Sequence, residues 1–308
     1  EVDPQGAIQV ANSDSIVLTR AGLVTIHQLG ARDLLAKRRL IVVPGLLEEL
    51  QREEHELRSI AERGRTAMAW KDDAPTMDIV QPGDAAHLLA DHQELLAWVR
   101  RQELAPRPLS WEARNSEAMR AIGAEAFDVC LIAEEMGLPI HVDDLGLRRL
   151  ARSEFGGVAG FSTYALVRAA RERGELDESR FNALLEQLLM LRHVPLPVPV
   201  GVLRGELSSS DAAVTPKLTR LLGHLGGPWI ALPVAAALTA RLLREIALDD
   251  GRASQLPAVA EAFFEALFNG RPLGQVEQTL ELAFAEAFNY LPLHGRRLLE
   301  LLAAYRRG

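Results

Sequence analysis

The sequence predicts an α/β domain built on a parallel sheet and followed by an all-α region. Three observations carry that prediction. Short apolar runs rich in β-branched residues alternate with helical patterns over roughly the first two thirds of the chain. Acidic residues stand directly after such runs or on the helices beside them. Beyond Asp211 only helical periodicity remains, interrupted by Gly226-Gly227-Pro228, Asp249-Asp250-Gly251, Gly270-Arg271-Pro272 and Pro292.

Each element has its own signal. Ser15-Ile16-Val17-Leu18 and Leu40-Ile41-Val42-Val43 are short and continuously apolar, as strands covered on both faces are. Pro44 suits a first helical position. After it, Leu46, Leu47, Leu50, Leu57 and Ile60 recur at helical spacing among glutamates and arginines, which predicts a helix to about Gly64. From Arg65 to Pro108 the signal is mixed. It contains Asp72-Asp73-Ala74-Pro75, Gln81-Pro82-Gly83-Asp84 and a helical segment from about Ala85 to Arg101. A long helix is predicted from Ser116 to Met136, closed by a left-handed Gly137, with a third strand at Leu138 to Val142. Leu145 to Arg152 reads as helix and Gly156 to Phe161 as a fourth short strand. Ser162 and Asp177 read as N-caps of two more helices. The proline-rich stretch Pro195 to Gly201 and Ser208-Ser209-Ser210 mark a change of character.

Composition excludes several classes. The chain has 308 residues, 48% of them hydrophobic and 25% charged, which is globular composition with length for two domains and neither disordered nor collagen-like. The most apolar segment, Trp229 to Leu238, is far short of the ~20 uninterrupted apolar residues of a membrane span and carries Pro233. A net charge of −8 means that any nucleic-acid contact needs a local basic face. Arg148, Arg149 and Arg152, with Arg168, Arg171 and Arg173 close in sequence, offer one for phosphate; an exposed helix surface accounts for them equally well. The single cysteine, Cys130, lies in an apolar run and reads as a small buried hydrophobe, which fits a reducing cytoplasm. His55, His87 and His92 lack the spacing of a zinc helix, and His141 reads as a core or edge histidine. No glycine-rich phosphate loop with its lysine is present, and spacing alone assembles no nucleophilic triad.

In an open parallel sheet, ligands bind at the carboxyl ends of the strands, so the acids placed there come first. Asp144 lies two positions past Val142, with Asp143 before it. Asp128 sits inside a helix with Leu131 and Ile132 one turn on, an apolar setting in which a carboxylate is costly unless it meets something positive. Glu49 falls at the edge of the stripe made by Leu46, Leu50 and Ile60, with Glu48 and Glu53 as alternatives. Taken singly, Asp143 or Asp144 serves as a helix cap and the glutamates serve as a solvated face.

In order, these segments resemble the PIN-domain family of metal-dependent nucleases. Ser15 to Leu23 looks like the family's first strand and turn. Ile41 to Leu50 looks like its second strand and glutamate-bearing helix. Phe127 to Asp144 is the most specific stretch: an aspartate on a helix, an alanine further along it, a glycine, a strand, then aspartate. Gly157 to His193 resembles the closing strand and helices of larger bacterial versions. The resemblance covers roughly residues 10 to 205. It implies a PIN-like domain over 1–205 with an insertion at about 65–115, followed by a helical domain over 206–308.

It further implies RNA cleavage through a Mg²⁺ or Mn²⁺ site, with Asp144, Asp128 and Glu49 as catalytic residues and metal ligands, Asp143 as an additional ligand, and Arg148 and Arg149 as contacts to substrate phosphate. The departure is Thr19, which stands where the family places its leading aspartate; Asp14 is at the opposite end of that strand. Two expectations therefore stand side by side: an attenuated endoribonuclease, or a catalytically inactive nuclease-derived module that binds protein or RNA. The first residue, Glu1, and the insertion suggest a terminal piece of a longer bacterial polypeptide whose other domains or subunits are partners.

Overall fold

The sheet that positions the site has five strands, all parallel, in the order β5-β2-β1-β6-β7. They are β1 (Ser15–Leu18), β2 (Arg39–Val42), β5 (Glu103–Leu104), β6 (Ile140–His141) and β7 (Gly160–Phe161). The computed structural model describes residues 4–71, 74–106, 122–191, 200–209 and 214–307. Its two compact units are Glu1–Leu176 and Asp177–Gly308, the second beginning at the N-cap Asp177.

In the first unit the inner strands of this sheet are buried because helices cover both faces of a parallel sheet. Ile16, Val17, Leu18, Ile41 and Ile140 are all without exposure. The register pairs Val17 with Ile41 on one side and with Ile140 on the other, which makes β1 the central strand. The helices are α1 (Pro4–Val10), α2 (Arg20–Gln28), α3 (Pro44–Arg63), α4 (Ala86–Val99), α5 (Ala124–Met136), α6 (Leu145–Glu154) and α7 (Thr163–Glu172). α3 starts at Pro44 and ends at Gly64, whose φ of 73° few other residues adopt. It lies against α4, where a His92 ring nitrogen meets Leu50 O at 2.8 Å. Gly137 closes α5 in the left-handed conformation, and Ser162 caps α7 through Ala165 N–H.

Three features differ from the sequence expectations. Residues 65–80 hold an antiparallel hairpin, β3 (Arg65–Lys71) and β4 (Ala74–Val80), in which Met68 pairs with Met77; Asp72 and Asp73 lie outside the described residues. Met68, Met77 and Ile79 face solvent, 76%, 61% and 53% exposed. The described part of the helix expected from Ser116 begins at Ala124, after Gly123 with φ 85°, and Ser116 itself lies outside the described residues. The fourth strand is only Gly160–Phe161, since Gly156 and Gly157 take positive φ in the turn before it.

The second unit is helical: α8 (Glu178–Met190), α9 (Val200–Ser209), α10 (Pro216–Leu225), α11 (Leu232–Ala247), α12 (Leu256–Phe268), α13 (Leu273–Ala287) and α14 (Pro292–Tyr305). Of the stretch at Pro195 to Gly201, residues 195–199 lie outside the described residues, as do Ser210 and Asp211. Lys217 joins three of these helices, reaching Glu186 at 2.7 Å and Glu206 at 3.2 Å. α8 thus belongs with this bundle. Phe263, Phe264 and Phe284 fill its core, with Phe264 edge-on to Phe284 at 6.2 Å. Among the described residues no helix is long and apolar enough to cross a membrane.

Candidate functional site

A cavity of about 590 Å³ opens at the carboxyl ends of β1, β2 and β6. Here the connections from the central strand diverge to opposite sides, the place where open α/β sheets bind ligands. Its walls come from residues that follow each strand: Thr19 and Arg20 after β1, Pro44, Gly45, Glu48, Glu49 and Arg52 after β2, Val142, Asp144 and Leu147 after β6. The first turns of α5, through Asp128, complete it.

Thr19 is buried and caps α2. Its hydroxyl donates to His141 O at 2.7 Å and accepts the Gly22 N–H at 3.2 Å, so it ties the end of β1 to the end of β6. Gly22 permits that closeness, because a side-chain carbon there would lie 2.8 Å from His141 O and 2.9 Å from His141 Nδ1. His141 is a core residue. One of its ring nitrogens meets Thr163 Oγ1 at 2.9 Å, and the ring stacks on Phe161.

The sequence-predicted acids divide into two groups. Glu49, Asp128 and Asp144 line the cavity together; Glu48 lines it too, whereas Glu53 is drawn into an ion pair with Arg20. Asp128 is only 4% exposed on a helix whose neighbouring residues are apolar and buried. Gly45, in the first turn of α3, lies near this carboxylate: a side-chain carbon there would be in ordinary contact with Asp128 Oδ2, at 3.7 Å, and that end of the helix is its positive one. Asp144 is the N-cap of α6, its Oδ1 accepting the Leu147 N–H at 2.9 Å; the capping role and the cavity position coexist.

Asp143 instead turns to α7, accepting from Thr163 N at 2.7 Å and from Thr163 Oγ1 at 2.8 Å, and it is not among the residues that line the cavity. Arg148 and Arg149 line a different concavity of about 500 Å³, with Arg152, Gly157 and Gly160. Burial lowers the pKa of Arg148, against the opposing charges of Asp143 and Asp144.

Sequence reasoning passed over Glu125. It stands three residues before Asp128 on the same face of α5 and lines the same cavity. Its Oε1 accepts the backbone N–H of Arg20 at 3.2 Å. Burial pushes its carboxyl up to about 7, and the charges of Glu49 and Asp128 add to the shift while Arg20 opposes it. The i−3 spacing from Asp128 was the available signal.

The donor set consists of carboxylate oxygens, the kind a hard divalent cation takes. Among the described residues no three carboxylate, imidazole or thiol side chains converge closely enough to hold a metal ion as they stand.

A central parallel sheet flanked by helices fits a PIN-like fold, and acidic residues of three segments line the cavity at its carboxyl end. Residues 20–153 match the family of the PIN domain associated with the TPR-GreAB-C-PIN system, and a helical region follows. PIN domains in general depend on divalent metals. No curated protein and no solved structure matches the chain.

Proposed function

We propose that the chain is an endoribonuclease that hydrolyses RNA phosphodiesters at this cavity with Mg²⁺ or Mn²⁺, attenuated by Thr19. One observation carries the reading: Glu49, Glu125, Asp128 and Asp144 face a single cavity although mutual repulsion and burial oppose it. Carboxylates gathered in this way are relieved by a cation. Asp128, Asp144 and Glu49 are the residues that would hold it, with Glu125 beside them and Asp143 kept apart by Thr163.

The chemistry supplied by such a cation is orientation of the attacking water and stabilisation of charge on the phosphate oxygens. The chain's own residues prepare the place. Glu125 is held by the Arg20 N–H, Asp144 is fixed by its cap to Leu147 N–H, and Thr19 holds the strand ends together. Attenuation follows from the Thr19 hydroxyl, which is already engaged as donor and as acceptor and is a poorer ligand for a hard cation than a carboxylate. Arg148 and Arg149, in their own concavity beside α6, would hold RNA phosphates away from the point of cleavage.

The family's description names a TPR-GreAB-C-PIN system, and the helical second unit is the part we assign to contacts within such an assembly in the cytoplasm. The division of the chain into a PIN-like part and this helical part belongs to the same reading.

The test is incubation of single-stranded RNA with Mn²⁺ and either the native chain or its Asp128→Asn and Asp144→Asn variants. Cleavage by the native chain alone is the expected result. Equal cleavage by all three identifies a contaminant, and absence of cleavage by the native chain replaces the nuclease reading with that of a binding module.

A further inference from the structure

The acidic cavity already contains a positive charge of its own. Arg20 is the first residue of α2 and lines the cavity. Its guanidinium forms an ion pair with Glu53, and its Nε stands 3.9 Å from Glu49 Oε1, the two side chains being 44% and 32% exposed. Its backbone N–H holds Glu125. One residue thus engages three carboxylates, two on α3 and one on α5. Arg52 also lines the cavity.

This arrangement bears on why the acids share a cavity without converging. A guanidinium is a broad, permanently charged plane that binds carboxylates at its edge. It lowers the repulsion among them while keeping their oxygens apart, whereas a small divalent ion draws oxygens to within ~2.0–2.6 Å of one centre. Glu49 Oε1, now beside the Arg20 Nε, gives up that place when it is drawn to a cation. We infer that Arg20 is the cavity's built-in counter-ion: it holds Glu49 away from the ligand position and must release it when a divalent cation enters.

The inference rests on the nuclease reading of the cavity and adds a determinant of its cation affinity, a positioning residue acting through Glu49. In the native chain a divalent ion competes with Arg20 for that carboxylate, in addition to lacking the first-strand aspartate that Thr19 replaces.

Mn²⁺ titration calorimetry on the full chain tests this, with Arg20→Gln, Arg20→Lys and Arg52→Gln compared with the native protein after circular dichroism has shown each to be folded. Arg20→Gln keeps the backbone N–H to Glu125 and removes only the charge. It is expected to bind Mn²⁺ about three- to tenfold more tightly than the native chain, the size appropriate to loss of a partly exposed ion pair beside the cation. Arg20→Lys is expected to return towards native affinity, and Arg52→Gln to stay within about twofold of it.

Equal or weaker binding by Arg20→Gln, with the native chain binding Mn²⁺, overturns the counter-ion role and leaves the nuclease reading intact. An equal gain in Arg20→Gln and Arg52→Gln also overturns it, because general charge would then suffice. Binding by Arg20→Gln alone supports it in its strongest form. Failure of the native chain and every variant to bind Mn²⁺ overturns both readings.

Discussion

Replacing Glu125 by glutamine should stabilise the metal-free protein at alkaline pH and leave it nearly unchanged in acid. The carboxyl titrates at about 7 in the folded chain against an ordinary value of 4.5. Below pH 4.5 it is protonated in folded and unfolded chains alike, and its contribution is intact. Between the two values the unfolded chain ionises first, so folding loses free energy as pH rises, and above about 7 the loss is complete. At ~1.36 kcal/mol per pH step, that loss is about 3 kcal/mol, and somewhat less if water reaches the carboxyl through the open cavity.

Glutamine fills the same volume, keeps an acceptor for the Arg20 N–H and carries no charge. Amide hydrogen exchange along α5 reads the first unit by itself, and comparing the two proteins at one pH cancels the intrinsic exchange rates. The variant should open less readily at pH 8 by ~1–3 kcal/mol, with the difference falling below ~1 kcal/mol at pH 5. Mn²⁺ should remove most of the native chain's disadvantage at pH 8. A difference of constant size from pH 5 to pH 8 would refute the account, since it would place the effect in packing and not in ionisation.

Thr19→Asp can still cap Gly22 N–H but loses the donor to His141 O; it should cost about 1–3 kcal/mol without metal and tighten Mn²⁺ binding, measured by urea unfolding and calorimetry. Gly22→Ala places a methyl carbon 2.8 Å from the His141 carbonyl, and ~1–3 kcal/mol of destabilisation is expected in the same unfolding assay; an unchanged midpoint would show that α2 moves freely against β6. Thr163→Val keeps shape but removes the hydroxyl shared by Asp143 and His141, with an expected loss of roughly 1–3 kcal/mol; native-like stability would argue against that bonded group.

The central strands were legible because burial on both faces demands continuous apolar runs, and Ile16-Val17-Leu18 and Leu40-Ile41-Val42 supply them. Helix limits were legible where a single residue type sets them, as at Pro44, Gly64, Gly137, Ser162 and Asp177. β5 was not: Glu103 and Leu104 are exposed, and only their backbone pairing with Ile41 and Val42 makes them a strand. The hairpin at 65–80 hid for the related reason that Met68, Met77 and Ile79 face solvent and give no buried stripe.

In the site, Asp128, Asp144 and Glu49 followed from their order along the chain. Glu125 did not, because its place beside Arg20 depends on a contact between residues 105 positions apart. The separation of Asp143 from Asp144 was equally hidden, since adjacent residues point to different helices: Asp144 caps its own, and Asp143 binds the start of another.

The central place of β1 has a consequence for how such a cavity changes over evolutionary time. Its walls hang from three neighbouring strands whose spacing of ~4.8 Å is set by main-chain pairing and is indifferent to the side chains at their tips. The gauge of the opening is therefore inherited with the ladder, while the fittings around it are exchangeable. A scaffold of this kind can exchange the residue at one tip, Thr19 for instance, and keep its mouth the same width.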